Sequence, residues 1–308
     1  MIAMYYSRAR ERALQKLETP RAGAWIAVTA PTGHELDRLS EEFGLDRDLL
    51  EDAIDIYEAP RIDTYNGAVY IYTRYCHPEG TEIATEPLLI VYTNDYIFTV
   101  SRIETTILDR LIKDQLEFVT TQKAKTVLWM LAEINKSYEK HLTKISRRVL
   151  QIRAELRQSR LSASEFVRII ELEEDLNEFL NALQPQALLF TALLSGKQMR
   201  LYEDDRDMIE DIERSTGELI TQVQGRLRTL VNMRQAYDAI ATTNLNSTFK
   251  RLTSIAIFLT IPTIVGGLWG MNVAVPFAHS PYAFFFVLLI VLGLSTAAVL
   301  IFRKNKWL

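Results

Sequence analysis

Two uncharged segments near the C-terminus decide the fold: LTSIAIFLTIPTIVGGLWG at residues 252–270 and YAFFFVLLIVLGLSTAAVLIF at residues 282–302. Each is about 20 residues long, the length with which an α-helix crosses roughly 30 Å of hydrocarbon. Two such runs would make a very apolar hairpin for the core of a soluble protein. The sequence therefore predicts two membrane-spanning helices joined by a short loop at residues 271–281.

Charges on either side of these segments predict how the hairpin is oriented. Lys250 and Arg251 precede the first segment, three basic residues lie in the tail 303–308, and the loop 271–281 has no Lys or Arg. Basic residues are enriched on the cytoplasmic side of membrane spans. We therefore expect a multi-pass protein of the cell (inner or plasma) membrane, with both termini in the cytoplasm and the loop outside. The N-terminus has no apolar leader, so no signal peptide is expected.

One face of the first segment is richer in hydroxyl, amide and small side chains than the rest of the helix. Two helices alone enclose no space, so a polar face of this kind needs partners from other subunits. Small and hydroxylic residues also occur in dry helix–helix interfaces, and for each threonine packing and pore lining remain open. The stripe as a whole favours an oligomeric pore. Taking about 100° per residue, this stripe consists of Asn246, Phe249, Thr253, Ala256, Thr260, Thr263 and Gly267.

The region before the membrane segments reads as an α+β domain at residues 1–122, followed by helices at residues 123–251. Apolar residues spaced three and four apart predict one long helix from about Asp204 to Gly270, which would act as a stalk. A helical hairpin precedes it, with helices at residues 123–160 and 163–183 and a capping box beginning at Ser162. Strands are predicted at 25–28, 68–73, 88–92 and 96–100, and short helices at 35–43 and 48–57.

The sequence lacks the residue patterns that several classes of function require. The single cysteine, Cys76, excludes an internal disulfide and a multi-cysteine zinc site, and the four histidines have no metal-ligand spacing. No glycine-rich phosphate loop or nucleophile elbow occurs, so an enzyme is not expected. Nucleic-acid binding is not expected either, because there is no basic patch. The acidic stretch 35–63 is interpreted as a solvated surface, with a reservoir for cations as the alternative.

Gly270-Met271-Asn272, at the outer end of the first segment, resembles the GMN signature of the CorA family of magnesium and cobalt transporters. Its position between a stalk-continuous helix and a short outer loop makes this tripeptide specific. The residues around Asn246, Phe249-Lys250, Leu252-Thr253 and Pro262 are also similar to that family. The likeness continues in the stretches 49–53, 58–62 and 85–87 and in the basic tail, so it covers nearly the whole chain.

The resemblance implies a funnel-shaped homopentamer that transports Mg²⁺, with Co²⁺ or Ni²⁺ as further cargo, through a pore lined by the first segment of each subunit. Asn272 would form a ring of amide oxygens that holds the hydrated ion through its waters, with Gly270 permitting the turn and Met271 packing to support the ring. Leu252, together with Phe249, would form the hydrophobic constriction; ordinary helix packing is the alternative. Asp211 on the stalk would help to bind regulatory cytoplasmic Mg²⁺.

Two other hypotheses remain at this point. The first is a proton-coupled carrier of Zn²⁺ or another divalent cation, since the resembled family includes zinc carriers with the same signature. Separately, the loop after the signature has no acidic residue, only His279, whereas many members of that family carry one there to attract cations. The second is a membrane-anchored helical scaffold, which would explain the stalk and the acidic surface. The scaffold does not explain the polar stripe or the outer tripeptide.

Overall fold

The computed structural model describes residues 1–8, 14–79, 82–113, 119–157, 163–273, 275–276 and 280–305. The chain forms two compact units, Met1–Arg234 and Gln235–Leu308. The predicted capping box at Ser162, the helix end predicted at residue 160, His279 and the last three residues of the basic tail lie outside the described residues.

A seven-stranded sheet forms the centre of the first unit, in the order β2-β1-β3-β7-β6-β5-β4. All neighbouring strands are antiparallel except β3 and β7, which are parallel. A mixed sheet with helices confirms the predicted α+β class. The strands are β1 Ile2–Tyr6, β2 Gln15–Leu17, β3 Trp25–Thr29, β4 Arg61–Tyr65, β5 Ala68–Glu79, β6 Glu82–Tyr92 and β7 Ile97–Ser101.

The four predicted strands are confirmed as parts of β3, β5, β6 and β7, whereas β1, β2 and β4 were not predicted. Strand β4 carries two charged residues among its five, and it pairs only with β5 at the edge of the sheet. Its hairpin with β5 turns at Asn66 and Gly67, which have φ of 48° and 76°. Asn-Gly is a strong signal for a two-residue hairpin turn because both positions need positive φ.

Two short helices cover one face of the sheet: α1 Gly33–Phe43 and α2 Arg47–Asp52. Thr32 and Glu35 form a capping box at the start of α1, and Leu36 and Leu50 lie in a fully buried apolar cluster with the sheet. The helix predicted at 48–57 was wrong in its length, because turns replace it after Asp52.

The other face of the sheet shares a second apolar cluster with the long helices. The helices that follow β7 are α3 Asp109–Lys113, α4 Lys123–Arg157, α5 Ala163–Leu194, α6 Glu203–Trp269 and α7 Ala283–Lys304. The prediction that α5 ends near residue 183 was wrong, since the helix continues through Pro185. Proline removes one backbone hydrogen bond, but Leu189, Phe190 and Leu193 beyond it are buried, and their burial offsets the loss.

Helix α6 confirms the predicted long helix, with 67 residues from Glu203 to Trp269. Its C-terminal part and α7 belong to the second unit. Both are long and apolar enough to cross a membrane, which agrees with the two predicted spans. Most of their side chains are exposed in the single chain, as expected for surfaces that contact lipid or other subunits.

Candidate ion-conduction site

Helices α6 and α7 bury one face each within the second unit. In the apolar span of α6, residues 252–269, the buried or half-buried side chains are Ser254, Ile261, Val265 and Trp269, which fall on one face of the helix. On α7 they recur at three- and four-residue spacing around the buried Ser295. Burial along two such faces in a single chain indicates that the helices pack against each other there.

The polar stripe lies on a different face of α6. All seven residues predicted for it, Asn246 to Gly267, are exposed. Helical geometry puts the centre of the stripe roughly 150° from the face that is buried toward α7. The stripe therefore points away from the partner helix of its own chain, and it is free to meet other subunits.

Hydroxyl groups on the stripe are oriented by their own helix. Thr260 Oγ1 donates to the carbonyl of Ala256 at 2.8 Å, and Thr263 Oγ1 donates to the carbonyl of Leu259 at 3.0 Å. Each hydroxyl proton is thus used within the helix, and the oxygen lone pairs remain as acceptors. Waters bound to a cation turn their hydrogens outward. A surface of acceptors therefore suits a hydrated divalent ion.

The GMN tripeptide follows directly after the last residue of α6. The Gly270 amide donates to the carbonyl of Gly266 at 2.9 Å, and a Cβ placed on Gly270 would lie 3.2 Å from that same oxygen. Glycine is favoured here by this close approach and not by a left-handed backbone. Met271 is 54 % exposed and Asn272 is exposed as well. Any packing that supports these two side chains must come from outside the described residues of this chain.

Two large apolar side chains are exposed at the start of the first span. Phe249 is 57 % exposed and Leu252 is 58 % exposed. By helical rotation Phe249 lies at the centre of the stripe, whereas Leu252 lies about 70° from it. Phe249 therefore points where the stripe points, and Leu252 lies beside it.

Asp211 lies in the first unit, exposed on α6. Its Oδ1 is 3.1 Å from Nη2 of Arg214, one turn along the helix. Neighbouring Glu213 accepts a hydrogen bond from the Thr191 hydroxyl. Across the described residues no three His, Cys, Asp or Glu side chains are grouped as a metal site. A regulatory cation at Asp211 would therefore need further ligands from a second subunit.

Most of the acidic stretch 35–63 is held in ion pairs. Arg47 contacts Asp37 and Glu51, and Arg61 contacts the carboxylates of Asp52, Glu58 and Asp63. Burial raises the pKa of Glu58, and the Arg61 charge opposes this rise. The guanidinium of Arg61 also stacks over the Tyr72 ring, 4.0 Å from its centroid. These contacts favour a structural surface over a reservoir of free carboxylates.

An α+β unit, a long helix that continues into an apolar span and a second apolar helix are the features of a membrane transport protein with two spans. A family model described as CorA-like Mg²⁺ transporter protein matches residues 21–304, so the chain belongs to that family. This membership confirms the prediction of divalent-cation transport over the scaffold hypothesis. The family is one of transporters and not of enzymes.

Individual relatives agree with this assignment. The cobalt/magnesium transport protein CorA of Methanocaldococcus jannaschii is 24 % identical over 296 residues, covering 92 % of this chain and 91 % of that protein. The protein with the same description from Thermotoga maritima is 20 % identical over 299 residues, covering 92 % of this chain and 83 % of the relative.

Solved structures establish the fold over the full chain. The complete structure of the CorA magnesium transporter from Methanocaldococcus jannaschii superimposes with a TM-score of 0.87 at 22 % identity, covering 100 % of this chain and 99 % of that one. The full-length CmaX protein gives a TM-score of 0.78 at 16 % identity, covering 99 % and 97 %. The cytoplasmic domain of ZntB from Vibrio parahaemolyticus gives 0.64 at 9 % identity, covering 78 % of this chain and 98 % of that domain.

Proposed function

We propose that the chain assembles as a homopentamer in the cell membrane and forms a channel for Mg²⁺, with Co²⁺ and Ni²⁺ as further cargo. The observation that carries this proposal is the direction of the polar stripe on α6. Its residues are exposed in the single chain and point away from α7, and its threonine oxygens face outward as acceptors. When the polar stripes of several subunits surround a common axis, they enclose a lumen. A single hairpin of two helices cannot do so.

The ion moves through this lumen with its water shell retained. Mg²⁺ gives up water reluctantly, so neutral oxygen acceptors that hydrogen-bond the shell hold the ion at a lower cost than direct ligands would. Asn272 amide oxygens form the outer ring, and the Thr263 and Thr260 oxygens receive the ion further in. Thr253, Ala256 and Gly267 line the same path with small side chains, and Asn246 supplies an inner polar ring.

Closure takes place at the cytoplasmic end of the span. A ring of Phe249 side chains, with Leu252 beside it, makes a narrow apolar stretch that empties of water when it contracts. Cytoplasmic Mg²⁺ bound through Asp211 and carboxylates of a neighbouring subunit holds the stalks together in the closed state. Both termini lie in the cytoplasm, and the loop after Asn272 faces outside; the basic residues that flank the two spans support this orientation. No catalytic step is part of this function.

Uptake of Mg²⁺ into proteoliposomes with a trapped indicator tests the proposal. An inside-negative potential should drive the uptake, and Asn272→Ala should reduce it at least about tenfold. Asn244→Ala is the matched control, because Asn244 is an exposed amide on the opposite side of α6 from the stripe. Its flux should equal that of the parent.

Other outcomes would overturn the proposal. Flux that follows a pH gradient and not the potential would replace the channel with a proton-coupled carrier of Zn²⁺ or a similar ion. Absence of flux for Mg²⁺, Co²⁺, Ni²⁺ and Zn²⁺ under every gradient would contradict transport by this chain. Equal loss of flux in the Asn272 and Asn244 variants would contradict the outer ring.

A further inference from the structure

Helices α4 and α6 carry matching heptad patterns of buried residues within the first unit. One series of buried positions on each helix alternates three and four apart, the spacing of a helix face that packs on a neighbouring helix, and α4 buries further residues, such as Val127 and Ile134, on its other faces. On α4 they are Leu128, Leu131, Asn135, Tyr138, Leu142, Ile145, Val149 and Ile152. On α6 they are Ile209, Ile212, Thr216, Leu219, Val223, Leu230 and Met233, with the half-buried Arg226 completing the series.

Hydrogen bonds between the two helices show that they run parallel in one register. The Asn135 side chain is hydrogen-bonded to Thr216 at 3.1 Å and to Ser215 at 3.0 Å, which lie 81 and 80 residues later in the sequence. Further along, Arg226 Nε donates to Ser146 Oγ at 3.0 Å, again across 80 positions. An offset of 81 residues matches every position of the α4 series with one of the α6 series.

Asn135 and Thr216 are the polar members of this seam, and they face each other. Asn135 is 4 % exposed and Thr216 is 0 % exposed. The Thr216 hydroxyl lies 3.1 Å from Asn135 Oδ1 and 2.8 Å from the Ile212 carbonyl, and Asn135 Nδ2 donates to Ser215 Oγ. Both side chains are therefore hydrogen-bonded in the observed register.

Displacement of α6 by one turn in either direction would separate Asn135 from Ser215 and Thr216, while the Thr216 hydroxyl would keep its bond to the Ile212 carbonyl. Asn135 would then face Ile212 or Leu219 in the seam, which are apolar, and the carboxylates that would take the level of Ser215, those of Asp211 and Glu218, are exposed on α6. A buried polar group without a partner lowers the population of such a state by about tenfold or more. Leucine or valine at both positions would tolerate the shifted state, because apolar layers slip onto one another without leaving a polar group unpaired.

Helix α4 is in turn attached to the sheet. The Tyr138 hydroxyl donates to the Arg74 carbonyl at 2.9 Å, and the Cys76 amide donates to Ser137 Oγ at 3.4 Å. A fixed register between α4 and α6 therefore also fixes the axial position of α6 relative to the sheet.

We propose that Asn135 and Thr216 form a register lock, a pair of positioning residues that hold α6 at one axial position against α4. Helix α6 then tilts or rotates together with α4 and does not slide along it. Because α6 continues into the first membrane span, motion of the α+β unit reaches that span as movement of the whole helix pair. The lock itself is independent of the proposed function, and only this last consequence rests on it.

Cross-linking in the full-length, detergent-solubilised protein tests the lock. In a Cys76→Ala background, a short thiol-reactive bifunctional reagent is applied to two cysteine pairs. Ser146→Cys with Arg226→Cys reports the observed register, and Leu150→Cys with Arg226→Cys reports a shift of one turn, because Leu150 is exposed one turn further along α4. We expect the first pair to react at least about tenfold faster than the second.

The decisive comparison is the variant with both Asn135→Leu and Thr216→Val. Its ratio of the two cross-linking rates should fall at least about threefold, while its melting temperature is not lowered, since apolar replacement of a buried polar pair is often neutral or stabilising. Thr216→Ser keeps the hydroxyl and should restore the parent ratio. Leu142→Ile with Val223→Leu, in an apolar layer two layers along the same series, should leave the ratio unchanged.

Two results would overturn the lock: an unchanged ratio in the apolar variant, or an equal fall in the Leu142/Val223 control. Flux of Mg²⁺ measured on the same variants separates this inference from the proposed function. If the parent carries no flux, the proposed function fails while the cross-linking ratio still decides the lock. If flux is present, the internal Mg²⁺ concentration that halves it should shift in the apolar variant and return to the parent value in Thr216→Ser.

Discussion

Replacing Thr260 with valine tests the role of the hydroxyl acceptors on the stripe. Valine has nearly the same shape, but it removes the oxygen whose proton is held by the Ala256 carbonyl. The helix loses no backbone hydrogen bond, so the fold and the oligomer should remain intact. What changes is the number of acceptors offered to the water shell of the ion.

The magnitude follows from the hydrogen bonds that are lost. Each bond contributes about 0.5–1.5 kcal/mol net. A hydrated ion centred in a symmetric ring touches at least two subunits at once, so its passage should become more difficult by about 1–3 kcal/mol. Since 1.36 kcal/mol is tenfold in rate, Mg²⁺ flux should fall by roughly 5- to 150-fold.

Initial rates of Mg²⁺ uptake into proteoliposomes measure this effect. Thr296→Val is the matched control, because Thr296 is an exposed threonine on α7 whose hydroxyl makes the same bond to the carbonyl four residues earlier, at 2.7 Å. That variant should keep the parent flux, and Thr260→Ser should retain most of it. Equal flux in Thr260→Val and Thr296→Val would refute the acceptor argument.

Three further predictions concern other parts of the chain. Gly270→Ala should lower Mg²⁺ flux because its Cβ would lie 3.2 Å from a carbonyl oxygen, whereas Gly293→Ala, which has open space, should leave flux unchanged. Arg61→Ala should lower the free energy of unfolding by about 1–3 kcal/mol in denaturant titrations, because Asp52, Glu58, Asp63 and the Tyr72 ring all lose their contact with the guanidinium. As the control, Arg38→Ala removes an exposed ion pair and should lower it by under about 0.5 kcal/mol. Burial lowers the pKa of His141, so the unfolded chain binds a proton at this histidine at a higher pH than the folded chain does. The stability of the fold should therefore fall as the pH drops below the ordinary histidine value of about 6.5. A steeper loss of melting temperature in His141→Asn than in the parent between pH 7.5 and 5.5 would contradict this.

Sequence patterns were sufficient wherever the relevant physics is local. The two spans follow from hydropathy and length, and the long α6 follows from apolar spacing with no proline between Pro185 and Pro262. Both depend on each residue's neighbours along the chain and on the surrounding solvent. The polar stripe was predictable for the same reason, because a helix of known period assigns every residue to a face.

Other features depended on partners distant in sequence. Strand β1 exists because β3 supplies its hydrogen bonds, and α5 continues past Pro185 because core residues beyond the proline are buried. Glycine at position 270 is favoured by a carbonyl that would lie 3.2 Å from a Cβ there, which no turn pattern indicates. These features are set by packing, which overrides local propensity.

The clearest division lies along α6 itself. Its apolar spacing determines that a helix forms and which side is buried, but a heptad seam permits several registers of nearly equal apolar burial. Only the tertiary structure shows that Asn135 lies opposite Thr216, because that pairing joins residues 81 positions apart. Which stretch of α6 sits beside which stretch of α4 is therefore decided by the cost of leaving a buried polar group unpaired, a quantity that appears only when both helices are in place.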